Sequence, residues 1–299
     1  MTLSFLGKKD RDTVSITMEY GVIKLLICRG LEVVDYRVLL AKPWFFREGQ
    51  VSNTARVAGL IKNVLPELVG DFHHAIGAVP GFQNRLGLMH FPRAKGFNAE
   101  TIIPQEAVRI MKVSSENYHL SWHQLKDRLE RTQWLVLAAS RRSITSLMET
   151  AEKSDIAVST LELRPFPLAR EVNQPDAVVA WAAHDGCDVV ITKESIPVEH
   201  QSLFWGAELV EDAVLVDRLT EVIGRTINTF NETSPEGPLS EEAPLVVCGS
   251  PIGGNPDISN RVAGNLRRFP AELASPLTCP EDFPVHDLVI NMGLVLRDV

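Results

Sequence analysis

The stretch Trp134–Val172, WLVLAASRRSITSLMETAEKSDIAVSTLELRPFPLAREV, decides the fold. It opens with an apolar run, Trp134 to Ala139, short enough for a buried strand. Ser140 and Ser143 are both placed to cap a following helix, whose apolar positions Ile144, Leu147, Met148 and Ala151 recur at helical spacing. A second run, Ile156 to Leu161, alternates as a strand does, and Pro165 ends it. A short helix is predicted through Phe166, Leu168 and Ala169. Strand and helix alternating over so short a span point to an α/β protein.

Upstream, Val14–Met18, Ile23–Cys28 and Leu31–Leu40 read as strands, turned at Tyr20-Gly21 and Arg29-Gly30 into a meander. A helix is predicted from about Asn53, with Val57, Leu60, Ile61, Val64 and Leu68 on one face. Ala75–Val79 is a strand ending in Pro80-Gly81, and Arg85–Phe91 alternates weakly up to Pro92. Arg93–Val113 is expected to hold a short helix after Pro104. Tyr118, Leu120 and Trp122 alternate as a strand, and a charged turn, Lys126 to Arg131, leads back to Trp134.

Downstream, Ala177–Ala182 and Val189–Thr192 form a predicted hairpin turning near Asp185-Gly186, and Ile196–Trp205 continues the sheet. A helix over about Glu208–Phe230 carries the stripe Leu209, Ala213, Val216, Leu219, Val222, Ile223 and Ile227. Asn231–Pro244, acidic and rich in proline and serine, reads as a solvated loop. Then come a strand, Leu245–Cys248, a glycine-rich loop, Gly249–Gly254, a helix from near Asp257, and a last helix over about Leu288–Leu296.

At 299 residues the chain is long enough for one large α/β unit or two domains, and for a substantial buried core. Its formal net charge of -8 argues against nucleic acid as partner, because phosphate binding needs a basic surface. No apolar run approaches the ~18 residues of a membrane span, and the start lacks a secretory core, so a cytoplasmic protein is expected. Cys28, Cys187, Cys248 and Cys279 are scattered without a C-x-x-C pair and read as core residues. His119 and His123 lie four apart without the Glu of H-E-x-x-H, in a strand, and read as edge histidines. No G-x-S-x-G occurs, and no metal site is read.

The segment Glu162, Pro165, Phe166, Leu168, Ala169 and Arg170 resembles the acidic-x-x-Pro-Phe-x-Leu-Ala-Arg joint of PilM proteins, actin-like members of the type IV pilus assembly machinery. Pro80, Gly81, Arg85 and Pro92 match a second signature of that family. The resemblance implies an α/β actin-like (ribonuclease H-like) fold. Its first half would be residues 1–165 with a small inserted subdomain at about 93–131. The second would be 166–299, with a final helix over about 287–297 packing back on the first.

The resemblance also says where a nucleotide would sit, and there the sequence departs from the family. Family proteins carry Asp-x-Gly in the opening hairpin, holding the Mg²⁺ shell and wrapping the phosphates. Placing Lys24 on the family Lys puts Thr17 at the Asp and Glu19 at the Gly, with Tyr20, Gly21 and Val22 in the small-residue run. Glu19 would repel phosphate by about 1–4 kcal/mol at ~4 Å. The second Asp-x-Gly falls on Trp181-Ala182-Ala183, or on a looser alignment at Asp185 and Gly186. Gly249, Ser250, Gly253 and Gly254 stand where the family contacts adenosine, with Pro251 intruding; a plain strand-to-helix turn is the competing reading.

The expectation is therefore a cytoplasmic scaffold with a vestigial nucleotide site at Lys24, Asp185, Gly186, Gly249, Ser250, Gly253 and Gly254, and without catalytic residues or cofactor. It would lie at the inner membrane through its partners, in a type IV pilus or a related secretion or competence complex. The resemblance implies binding the cytoplasmic tail of a PilN-like membrane protein, with pilus motor or platform proteins as further contacts. Pro80, Arg85, Pro92 and Trp122 would be walls of that tail site. The alternative is a working actin-like ATPase, using ATP and Mg²⁺ at an unorthodox site.

Overall fold

Gly21 and Gly30 adopt left-handed φ values of 72° and 59°, and these two turns fold the first three strands back on one another. The strands are β1 (Asp12–Glu19), β2 (Val22–Arg29) and β3 (Glu32–Leu40), paired antiparallel. The structure is a computed structural model and describes residues 12–19, 21–69, 74–93, 96–128, 131–206, 211–234 and 237–298. Tyr20 of the first turn and Leu209 of the helical stripe lie outside the described residues, as does the tip, 129–130, of the charged turn.

Two short strands, β4 (Phe46–Arg47) and β5 (Gln50–Val51), precede α1 (Thr54–Val64), which Asn53 caps by accepting from the Arg56 amide. Next are β6 (Ala75–Ala78), β7 (Arg85–Pro92), α2 (Ala99–Met111), β8 (Tyr118–Arg128) and β9 (Arg131–Ser140). The deciding stretch then supplies α3 (Arg141–Lys153), β10 (Val158–Glu162) and α4 (Pro165–Val172). Of the two serines expected at the cap of α3, Ser140 accepts and the Ser143 amide donates. The chain continues through β11 (Ala177–Ala182), β12 (Gly186–Lys193), β13 (Ile196–Phe204), α5 (Asp212–Thr233) and β14 (Leu245–Cys248). Three helices, α6 (Ser250–Gly254), α7 (Asp257–Leu266) and α8 (Val285–Val295), follow.

The strands form two principal sheets. One has the order β10-β6-β1-β2-β3, with β6 and β10 joined in parallel by helical crossovers. The other has the order β14-β11-β12-β13-β7-β9-β8, so the sheet of β11–β14 continues through Glu199 opposite Gly87 into β7, β9 and β8, which with α2 make a subdomain wider than the expected 93–131. Helices α1 and α3 cover one face of the first sheet, where Val57, Ile61, Leu147 and Ala151 meet Val14, Ile16, Ile23 and Leu25. On its other face lies α8, whose Leu288, Met292 and Val295 pack on Leu26 and Cys28. The same helix, with α4, covers Val179, Trp181 and Val246 of the second sheet. Helices α5 and α7 close the outer face of that sheet. Helix α2 packs on the subdomain strands through Ile103 and Ala107.

Four local expectations are corrected. Helix α2 starts at Ala99 under an Asn98 cap and runs through Pro104, because the cap and the packing of Ile103 and Ala107 outweigh one missing backbone donor. Residues 231–233 still belong to α5; the described residues beyond them form the expected solvated loop, pinned by buried Leu239 and Ala243 and by the Leu239 amide, which donates to Asn231. Ser250–Gly254 is one helical turn rather than a loop, as Pro251 occupies a first-turn position where no amide donor is needed. The last helix starts at Val285, earlier than the apolar stripe alone suggests.

Candidate functional site

Two features stand out, the cleft between the halves and a groove beside the subdomain. In the cleft, Lys24 is buried on β2 and its Nζ lies 2.7 Å from Glu19 Oε2. Thr17, which the resemblance would set at a metal-holding acid, donates to Asn291 Oδ1 of α8 at 2.9 Å. Asn291 in turn donates to the carbonyls of Ser15 and Lys24, so α8 is sewn to the opening hairpin at this point.

From the second half, Asp185 enters at the β11–β12 turn, 2% exposed, with Oδ2 buried and unpartnered. Burial pushes its carboxyl up to about 7, against the pull of Arg164 and with a further push from Glu19 and Asp188. Gly186 packs so closely that a Cβ would stand 2.4 Å from the Leu203 carbonyl and 2.7 Å from the Phe82 ring.

The centre of the cleft belongs to Arg164, a residue that reading from the sequence missed. It precedes α4 and is almost fully buried. Its Nε meets Asp188 Oδ2 at 2.7 Å, and its Nη2 donates to the Gly81 carbonyl at 2.8 Å. The guanidinium also lies over the rings of Phe82 and Trp181, at 4.6 and 4.9 Å from their centroids. Asp188 is fully buried, which alone would raise its pKa; Arg164, His200 and Ser202 outweigh that and hold it below the usual carboxylate range. His200 and Ser202 do not make a nucleophile relay with Asp188, because Asp188 Oδ1 and Ser202 Oγ reach the same imidazole nitrogen, Nε2.

The expected glycine-loop residues sit elsewhere. Gly249 has φ 113°, and a Cβ there would be 1.9 Å from the Ala182 carbonyl. Ser250, Gly253 and Gly254 line a separate cavity of about 690 Å³ with Asn260, Glu272 and His286; Lys24, Asp185 and Gly186 do not line it. Among the described residues, no cluster of three His, Cys, Asp or Glu side chains is arranged to hold a metal ion.

The second feature is a groove of about 580 Å³ between the edge of β10 and the sheet face of the subdomain. Its walls include Val79, Leu137, Ala139, Ile144, Leu161, Leu163 and Phe166, and its rim carries His119, Ser121, Arg141, Glu162 and Arg297. Glu162 is held by Arg170 and by Arg297 at 3.2 Å. Of the expected partner residues, none lines the groove, although Pro80 follows Val79 directly. Trp122 points the other way, because alternate residues of a strand face opposite sides; Ser121 lines the groove while Trp122 packs toward α2. Arg85 donates to the carbonyls of Phe82 and Asn84, and Pro92 is exposed at the far end of β7.

The two sheets with helices between and around them define an actin-like α/β fold, and the solved structures similar to this chain carry it. A chain of the PilM–PilN type IV pilus biogenesis complex superposes with a TM-score of 0.77 at 15% identity, covering 98% of this chain and 99% of that one. The ethanolamine utilization protein EutJ from Carboxydothermus hydrogenoformans gives 0.56 at 13% identity, over 95% of this chain and 89% of that one. The cytoplasmic domain of EpsL, an inner-membrane component of the Vibrio cholerae type II secretion system, gives 0.54 at 10% identity, over 96% and 95%. No protein-family model and no curated protein matches the chain. The resemblance read from the joint thus holds at the level of the fold. Among the described residues no helix is long and apolar enough to cross a membrane.

Proposed function

We propose that this protein is a cytoplasmic scaffold of a type IV pilus or related secretion complex, docking a short tail of a PilN-like membrane protein without a working nucleotide site. The groove beside β10 carries the reading, being apolar, open, and bounded by both the first half and the subdomain. The end-to-end likeness to a chain of the PilM–PilN complex supports it. So does the cleft, whose residues do not fit a magnesium triphosphate. Lys24 and Arg164 are already paired with Glu19 and Asp188, and Asp185 is a carboxyl that burial pushes up to about 7. A triphosphate would meet acids on both loops and no free cation among these groups.

A synthetic peptide of the cytoplasmic tail of a PilN-type membrane protein tests the docking by calorimetry. Binding is expected, and Ala139→Phe or Thr145→Trp, which fill the groove, are expected to weaken it at least tenfold without lowering the melting temperature. Equal binding by both variants would overturn the groove assignment. The second reading, an actin-like ATP-binding protein, draws on the cavity at Ser250, Gly253 and Gly254. It requires ATP and Mg²⁺ to stabilise the fold by about 2.7 kcal/mol at a hundredfold excess over Kd. No rise in melting temperature is expected at millimolar ATP.

A further inference from the structure

Strand β10 ends the first sheet, and its outer edge borders the groove. At the top of the strand the Glu162 carbonyl accepts from the Val79 amide, so the peptide groups of Glu162 face β6. Successive residues of a strand turn their backbone groups to opposite edges, so Leu161 and Leu163 turn theirs outward. The Leu163 carbonyl is taken by the Phe166 amide. The Leu161 amide and carbonyl and the Leu163 amide are thus directed at the groove.

An open strand edge is a template for another strand, and chains usually blunt it with lysine, proline or a bulge. Here Val158–Glu162, VSTLE, has no lysine or proline, and its one charge, Glu162, is drawn aside by Arg170 and Arg297. The register shift between Val158 and Thr160 lies at the other end. The setting protects the edge instead. His119, Ser121, Leu137 and Ala139 of the subdomain stand across from it, so a single extended segment can enter where the edge of a second sheet cannot.

We propose that the groove takes its ligand as an added β-strand, an extended peptide hydrogen-bonded to the Leu161–Leu163 edge of β10. This rests on the docking reading above and specifies how the tail is held. Main-chain bonds to the edge give affinity, and side chains in alternate positions give selectivity. Leu161 packs with Leu147 on the α3 face of the sheet, whereas Glu162 points to the other face, beside Arg297. An added strand sets its own side chains alternately on the same two faces. One set meets Ile144 of α3 and is apolar. The other meets Arg297, where two guanidinium groups face one carboxylate. Carboxylate or amide side chains fit there, and lysine or arginine does not.

The test replaces single backbone amides of the tail peptide by N-methyl amides and measures each affinity by calorimetry. A methyl on an amide facing β10 removes one bond and blocks the edge; on the next amide it does neither. Losses of at least tenfold at every second position of the bound segment are expected, with changes below threefold between them. Bound peptide is also expected to slow exchange of the Leu161 and Leu163 amides at least tenfold. The Glu162 amide, which faces β6, is expected to change less than twofold. Binding with losses at consecutive positions or at none, or with unchanged exchange at Leu161, would overturn strand addition and leave the docking standing. No binding by the unmodified peptide would overturn both.

Discussion

Arg164→Leu is expected to lower the free energy of unfolding by about 3–5 kcal/mol, the cost of leaving a buried partner charge alone. Asp188 is 0% exposed and would lose its only guanidinium, while the Gly81 carbonyl and the two rings would lose the group that bridges them. Arg164→Lys keeps the charge but not the planar fork or the stacking, so it is expected to recover about half of the loss. Adding Asp188→Asn to Arg164→Leu is expected to restore more, since the stranded carboxylate is then gone. Urea denaturation of the four proteins measures all of this. A loss below about 1 kcal/mol for Arg164→Leu would place the residue among surface ion pairs instead.

Gly293→Ala is the second large effect. Helix α8 lies against α4 so closely that the new Cβ would stand 1.9 Å from the Pro167 carbonyl, and neither backbone has a rotamer to change. The helices must separate, at a cost on the order of 3 kcal/mol. That separation also disturbs Asn291, two residues earlier, and with it the bonds to Ser15, Thr17 and Lys24. Gly264→Ala in α7, with nothing within 4 Å of the added carbon, is the control. It is expected to stabilise by roughly 0.5–1 kcal/mol, as a helical glycine replaced by alanine does. Melting curves of the two variants, moving in opposite directions, check both expectations.

Much of the framework was legible because periodicity reports burial on one element at a time. The run Trp134–Ala139, the cap at Ser140 and the break at Pro165 all appear where the local chemistry requires. The cleft was less legible. Arg164 and Asp188 belong to different elements, and nothing in LELRPF marks its arginine as buried. That Thr17 and Trp181 stand where the resemblance expects acids was readable from the sequence. What replaced them was not, because Asn291 meets Thr17 from the other end of the chain. The turn at Ser250–Gly254 misled for a local reason: glycine and proline argue against helix until first-turn geometry and the contact of Gly253 with His286 are known.

The join between β13 and β7 has a mechanical meaning. The subdomain hangs from the first half by chain connectivity, yet its strands are rungs of a ladder that begins at β14. A tug on the β8 margin is carried sideways through β9 and β7 and crosses at Glu199 and Gly87, the single narrow rung. It thus reaches the far flank of the molecule without passing through the stretch from β10 to α4. A load on the outer strand and a shift of the distant helices are two ends of one stiff beam, with its fuse at that rung.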